Sequence, residues 1–396
     1  VDLTFAKPHT MKSVLVSVML LTLLQQSDTA VNNQPSKTPA STGNVFIITT
    51  DGLRWQEVFT GADSLLVNNE KATPGSDLLN MLYWDPAPET RRKKLMPFLW
   101  NVIAKKGQLS GNRMYNNKVN VANAYAISYP GYNEIFTGTA DEMISSNKKY
   151  RNPNINVLEF LNNKEHFNGK VAAFTSWDVF PYIFNEKRNG LLVNSGYETG
   201  LENSLTQEII NGVQQEVKEK QATRHDQLTF ACAKEYLQLH QPKILFLGLG
   251  ETDEFAHDGR YDLYLQQANA VDRMIAELWH WVQTTPGYKD NTTFIITTDH
   301  GRGSRTNKWT SHGAFIKGSS EVWLAMIGPG IEPLGEIKEQ QQLYQHQLAQ
   351  TIANLLGEDF DPGQPVGQAI ELKKKETVLP LLEKDRTVAV INDARK

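Results

Sequence analysis

The hexapeptide Phe-Ile-Ile-Thr-Thr-Asp occurs twice, at Phe46–Asp51 and at Phe294–Asp299. Such a run of aromatic and β-branched residues fits a pleated strand, and one apolar on both faces fits a strand covered on both sides of a sheet. Each copy ends on an aspartate, so the duplication predicts two strands that deliver two carboxylates to one edge of a sheet. Nothing periodic links the copies, which rules out a solenoid repeat.

The rest of the chain supports a layered sheet. Strands are predicted at Val45–Thr50, Lys170–Thr175, Lys243–Gly250, Thr293–Thr298 and Glu321–Ile327. Helices are predicted between them at Met96–Lys105, Asn156–Asn162, Ser204–Lys218, His225–Leu239 and Gln340–Leu356. In a further one, Tyr261–Val282, the residues Tyr264, Ala268, Val271, Ile275, Leu278 and Val282 recur three or four apart and form one apolar face. This alternation predicts an α/β fold with a mostly parallel sheet and helices on both faces, in which a ligand sits beyond the carboxyl ends of the strands. Asp51, Asp253 and Asp299 fall there.

The amino end reads as an export signal over 11–30. Met11-Lys12 precedes an apolar stretch, Val14–Leu24, too short to span a bilayer, and polar residues follow before Ala30. Asp28 spoils an ideal cleavage site, Val1–Thr10 fits an upstream start choice, and a buried N-terminal helix is the alternative. A connector rich in Asn, Pro, Ser and Thr is expected over 31–43, the folded domain over 44–360, and a solvated peripheral tail over 361–396. A formal net charge of -4 gives no general attraction to nucleic acid or anionic membranes, and no transmembrane anchor is evident. The single cysteine, Cys232, excludes an intrachain disulfide and reads as a small buried side chain.

The chemistry-bearing residues cluster near these strand ends. Asp299 runs into His300, and Asp253 and His257 stand four apart, able to reach one ion together if the strand ends at Asp253 and the chain turns. His312 can complete that set, while Asp51, Asp299 and His300 with the Ser128 oxygen would form a second. Carboxylate and imidazole donors from several strand ends are what a catalytic pair of zinc ions requires. Singly, each has a plainer reading: an aspartate after a strand is often a turn or cap residue, and Ser128 before Tyr129-Pro130 can be a helix N-cap.

Taken in order, Asp51-Gly52, Ser128-Tyr129-Pro130-Gly131-Tyr132-Asn133, Asp253 with His257, Asp299-His300-Gly301 and His312-Gly313 resemble the alkaline phosphatase superfamily, and more closely its phosphodiesterase and nucleotide-pyrophosphatase branch. The resemblance implies an alkaline-phosphatase-like fold and a two-zinc hydrolase of small phosphate esters, and the export signal over 11–30 would make it periplasmic or secreted. Manganese or iron could take the place of zinc. It implies Ser128 as a nucleophile that becomes phosphorylated, and a phosphoryl-binding Asn about twenty residues later, for which Asn147 fits best and Asn152 is possible. Sulfatases of the superfamily resemble Cys/Ser-x-Pro-x-Arg at the nucleophile, where this chain has Tyr132. The large insertion of phosphoglycerate mutases is missing between Ser128 and Asp253. A Lys-x-Arg pair found in some monoesterases is absent at Thr175–Asp178, though Arg302, Arg305 and Lys308 could supply charge instead. That absence predicts diester activity, with Tyr129 and Trp177 available to contact the second ester group. The rival readings are a sulfate-ester or phosphonate hydrolase, and an inactive binding protein on the same scaffold.

Overall fold

A computed structural model describes residues 43–200 and 202–373. The expected export signal, the connector except Gly43, and the chain from 374 onward lie outside the described residues.

The two hexapeptide copies pair directly. They run parallel and in register, with Phe46 opposite Phe294, Ile47 opposite Ile295, Ile48 opposite Ile296 and Thr49 opposite Thr297. The Phe46 and Phe294 rings stack with centroids 5.4 Å apart. Because the pairing has no offset, Asp51 and Asp299 leave the sheet at the same level.

In chain order the strands of the main sheet are β1 (Asn44–Thr50), β2 (Gly107–Ser110), β3 (Val171–Thr175), β4 (Leu192–Ser195), β5 (Ile244–Leu249), β6 (Thr292–Thr297), β7 (Leu324–Ile327) and β8 (Gly335–Glu336). Their spatial order is β8-β2-β7-β6-β1-β5-β3-β4, and only β7 runs antiparallel to its neighbours. The strand alternation divides the core in two. Phe46, Ile48, Phe294 and Ile296 pack on one face with the helix Tyr261–Thr284, whose predicted apolar stripe is buried throughout. Val45, Ile47 and Ile295 pack on the other face with the helices Ser128–Thr137 and Leu348–Leu355. Burial on both faces explains why these strands read as continuous apolar runs. Cys232 is free and buried.

Three elements differ from the sequence expectation. Glu321–Ile327 is two strands, broken at Trp323, whose fully buried ring donates from Nε1 to Leu53 O at 2.9 Å. Glu321–Val322 instead joins a small sheet with Asn117–Asn120 and Gln341–Tyr344. The same small sheet delays the start of the expected helix Gln340–Leu356: its polar start lies as a strand against Asn117–Asn120, and the α-helix begins at Leu348, where the apolar stripe begins. The Met96–Lys105 helix is a π turn over Leu99–Ile103 before Ala104–Lys106, with the amides of Phe98 and Leu99 donating to Asp272 at 2.7 and 2.8 Å. Past Asp361 the chain stays attached: Gly367 N donates to Gly138 O at 2.9 Å and Ile370 N to Thr351 Oγ1 at 2.9 Å.

Candidate metal centre

Asp51 follows β1 and turns away through Gly52, whose φ of +62° suits glycine. A Cβ at Gly52 would also stand 2.5 Å from Asp253 Oδ1, so a bare backbone lets the two carboxylates approach. Asp253 itself is not at a strand end. β5 stops at Leu249 and Glu251–His257 is a helix, so helical i, i+4 spacing, rather than a turn, brings His257 Nε2 to 3.0 Å from Asp253 Oδ2.

His300 sits at the centre. Its Nδ1 donates to Gly301 O at 2.9 Å, which turns Nε2 toward the carboxylates. That Nε2 lies 3.3 Å from Asp51 Oδ1, 3.5 Å from Asp299 Oδ2 and 3.9 Å from Asp253 Oδ1. His312 is arranged alike: Nδ1 faces Ala126 O at 3.3 Å, and Nε2 lies 3.0 Å from His257 Nε2 and 3.8 Å from Asp253 Oδ1. The His300 and His312 rings stack at 3.9 Å. Two donor groups result, Asp51 with Asp299 and His300, and Asp253 with His300 and His312, the donor atoms of each lying within 4.8 Å of one another. His257 flanks the second, its side chain 47% exposed.

The electrostatics call for cations. Burial, and then Asp253, push the Asp51 carboxyl well above its ordinary value. Burial, and then Asp51, do the same to Asp299. Burial would raise Asp253 too, but Arg302, with His257 and His312, holds it well below the usual range. Burial, and then His300, push His312 down to about 2, so its ring is neutral. Asp51 Oδ1 and Asp299 Oδ2 are buried without a hydrogen-bond partner. Buried carboxyl oxygens facing imidazole nitrogens form a donor set that fits divalent ions.

Ser128 is the first residue of the helix Ser128–Thr137. The N-cap is Ile127, and no side chain caps that end, so the serine hydroxyl is not used as a cap. Its Oγ lies 3.3 Å from His300 Nε2. Close packing fixes the helix: a Cβ at Gly131 would stand 2.4 Å from Asp299 O. One turn on, Tyr132 OH donates to Asp51 Oδ2 at 3.3 Å, and burial together with the charges of Asp299 and Asp51 keeps that phenol protonated. Tyr132, which stands where sulfatases carry arginine, is thus a direct neighbour of the site.

A network behind the serine ties it to His312. Buried Glu134, on the same helix, accepts from Ala122 N at 2.8 Å and from Asn123 N and Nδ2, each at 2.9 Å. Asn123 Oδ1 in turn accepts from Tyr125 N at 3.1 Å and Ala126 N at 2.8 Å. Ala126 is held at φ +48°, a left-handed conformation unusual for alanine, and its carbonyl meets His312.

The remaining expectations divide. Asn147 lies against the serine helix, its Oδ1 accepting from Tyr129 N at 2.9 Å. Asn152 is engaged elsewhere: it is fully buried, donates to Asn133 Oδ1 at 2.9 Å and accepts from Asn154 N at 3.0 Å. Tyr129 cannot contact an ester group, because it is fully buried, stacks on Tyr150 at 4.9 Å and donates from its hydroxyl to Tyr150 O at 2.8 Å. Arg302 is no solvated loop residue. It is 1% exposed, bonds to Asp253, and donates to Trp309 O at 2.8 Å and Thr310 O at 2.5 Å. Arg305 and Lys308 are exposed.

The profile of the Metalloenzyme superfamily matches residues 116–359, more than half of the chain. The chain belongs to the Metalloenzyme superfamily. No curated protein matches its sequence at a significant level. Solved structures share the fold of this Metalloenzyme superfamily member. A mutant of the alkaline phosphatase PafA aligns with a TM-score of 0.54 at 12% identity, covering 82% of this chain and 98% of that one. The lipoteichoic acid synthase LtaP from Listeria monocytogenes aligns at 0.52 and 13% identity, covering 83% and 75%. BT1596, a 2-O GAG sulfatase, aligns at 0.51 and 14% identity, covering 83% and 73%. These neighbours carry the names of a phosphatase, a synthase and a sulfatase, so they establish the alkaline-phosphatase-like fold without choosing a branch.

Proposed function

We propose that this chain is a two-metal hydrolase of phosphate esters that works through a phospho-serine. Ser128 carries the reading: its Oγ stands 3.3 Å from His300 Nε2, the imidazole common to both donor groups. Asp51, Asp299 and His300 would hold one ion, and Asp253, His257 and His312 the other. When bound, two divalent ions, zinc in this reading with manganese or iron as alternatives, would supply Lewis acidity at the attacking and leaving oxygens.

The chain's own residues do the rest. Ser128 Oγ forms a bond to phosphorus as the bond to the leaving alcohol oxygen breaks. The hydroxyl proton goes to solvent, and the departing alkoxide takes one back. Water then cleaves the phospho-serine and restores the hydroxyl. Asn147 spends its Oδ1 on Tyr129 N, and its Nδ2, unpaired among the described residues, would donate to a phosphoryl oxygen.

A diester preference follows from charge. A monoester phosphoryl group carries nearly two negative charges and gains from a cation beside the metals, whereas a diester carries one. Lys-x-Arg is absent at Thr175–Asp178, Arg302 is committed to Asp253, and Arg305 and Lys308 face solvent. Sulfate-ester or phosphonate hydrolysis would use the same donors and is the rival activity; an inactive scaffold would be expected to have lost a donor. Export through 11–30 belongs to the same reading, and no helix among the described residues is long and apolar enough to cross a membrane.

The test compares kcat/KM for p-nitrophenyl phosphate, its bis-ester and p-nitrophenyl sulfate, with Ser128→Ala alongside. The variant should fold and take up metal while losing nearly all turnover; ordinary activity without Ser128 would move the attack to water. A hundredfold monoester preference, about 2.7 kcal/mol, would sink the diester reading and leave the Ser128 assignment standing.

A further inference from the structure

Beyond the ends of β3 and β4, on the same edge of the sheet as the metal centre, lies a cavity of about 410 Å³. It is tied to the nucleophile through Tyr129, the residue after Ser128. Tyr129 N donates to Asn147 at the start of the 147–151 wall, and Tyr129 OH reaches Tyr182 O in the opposite wall at 3.3 Å. Lys149 and Asp178, one from each side, pair at 2.7 Å.

The lining is mixed in charge. Lys149, Arg151 and Lys187 oppose Asp178, Glu186 and Glu198, with the rings of Tyr182 and Tyr197 among them. Several groups are unused. Arg151 lies over the Tyr182 ring at 5.4 Å and makes no hydrogen bond or ion pair among the described residues. Asp178 Oδ1 and Ser195 Oγ are buried without a partner, and Ser195 is 1% exposed.

This lining excludes most ligand classes. An anion would face Glu186 and Glu198, which already repel one another; a cation would face Arg151 and Lys187. An apolar group would strip water from all of these without replacing its hydrogen bonds. A neutral ligand rich in hydroxyls avoids each penalty, donating to the acids, accepting from the bases and laying a ring face on tyrosine. We propose that this cavity binds the organic group of the ester, and that the group is a neutral, hydroxyl-rich ring of the sugar type. The assignment rests on reading the metal centre as an ester hydrolase.

The test uses two diesters that release the same chromophore, methyl p-nitrophenyl phosphate and glucose 6-(p-nitrophenyl phosphate), with the zinc-loaded full chain. The wild type should favour the glucose diester at least tenfold in kcat/KM. Arg151→Ala and Glu186→Gln should each lower kcat/KM for the glucose diester at least fivefold more than for the methyl diester, chiefly through KM. Equal losses on both diesters, no loss on either, or a wild-type preference for a uridine diester over the glucose one would overturn the sugar assignment. If no phosphate ester turns over, the hydrolase reading fails by itself, and saturation-transfer NMR with free D-glucose then reads the cavity. A signal lost in Arg151→Ala upholds the subsite, and absence of a signal in the wild type overturns it.

Discussion

Replacing Glu134 with glutamine tests whether the Ser128 helix and His312, the proposed metal donor, are locked together. Four hydrogen-bond donors face the buried carboxylate, Ala122 N, Asn123 N, Asn123 Nδ2 and His346 N at 3.2 Å, with the His346 ring Nδ1 further off at 3.7 Å. Glutamine keeps one oxygen and turns an amide N–H₂ toward donors. If its oxygen stays with Ala122 and His346, both bonds to Asn123 are lost. Two buried hydrogen bonds to a charged acceptor, at about 1.5–3 kcal/mol each, put the loss at roughly 3–6 kcal/mol before relaxation. Freed from Glu134, Asn123 no longer fixes Tyr125 N and Ala126 N, and nothing then holds Ala126 in its left-handed conformation with its carbonyl on His312. Partners behind a metal ligand typically contribute about 10–100-fold in affinity. The expected result is a lowered urea midpoint together with zinc affinity weakened at least tenfold at one of two positions, read by chelator competition on the metal-free protein. A variant that unfolds at the wild-type midpoint and binds both ions with unchanged affinity would refute the coupling.

His312→Ala should leave the Asp51, Asp299 and His300 group intact, so metal analysis should find about one ion per chain where the wild type is expected to hold two; two tightly held ions would exclude His312 as a donor. Asp272 makes a separate prediction about pH. Burial pushes its carboxyl up to about 7, with the Phe98 and Leu99 amides acting in the other direction. A folded value above the unfolded one means that the folded state binds the proton more tightly, so this contribution is complete below about 4 and is lost as pH rises through about 7, on the order of 4 kcal/mol at most. Asp272→Asn should therefore flatten the fall in unfolding free energy between pH 4 and pH 7, and equal slopes for the two proteins would contradict it.

The fold was legible where burial made the pattern continuous. β1, β5 and β6 are covered on both faces, so each reads as an unbroken apolar run, and the helix Tyr261–Thr284 shows its stripe because one face is covered. The short strands β2, β4 and β8, the last two at the edges, gave no such sign, because two to four residues are too few to establish an alternation. At the site, Asp51, Asp299 and His300 could be placed from the strand ends they follow. Arg302 could not, since its burial depends on Asp253 and on the carbonyls of Trp309 and Thr310, which only the fold brings around it. Tyr132 and Glu134 were hidden for a related reason. Their roles depend on which face of the serine helix turns inward, and that is set by the contact of Gly131 with Asp299.

The in-register pairing of the two hexapeptides brings these strands together. Identical strands side by side carry Asp51 and Asp299 out of the sheet at one height, and the bare backbone of Gly52 and Gly131 lets Asp253 and the serine helix close on them. A fold that gathers three carboxylates with so few hydrogen bonds works against itself, because burial and mutual repulsion both oppose charge there. Arg302 pairs directly with Asp253 and acts on Asp51 only from a distance, so burial and like charge still hold the Asp51 and Asp299 carboxyls well above their ordinary values. A divalent ion bound by the folded chain and not by the unfolded one stabilises it by RT ln(1 + [L]/Kd), about 4 kcal/mol at a thousandfold excess over Kd. The same crowding of carboxylates that weakens the metal-free fold therefore links its stability to metal occupancy, so the sheet edge that would serve catalysis is also where the fold depends most on its ions.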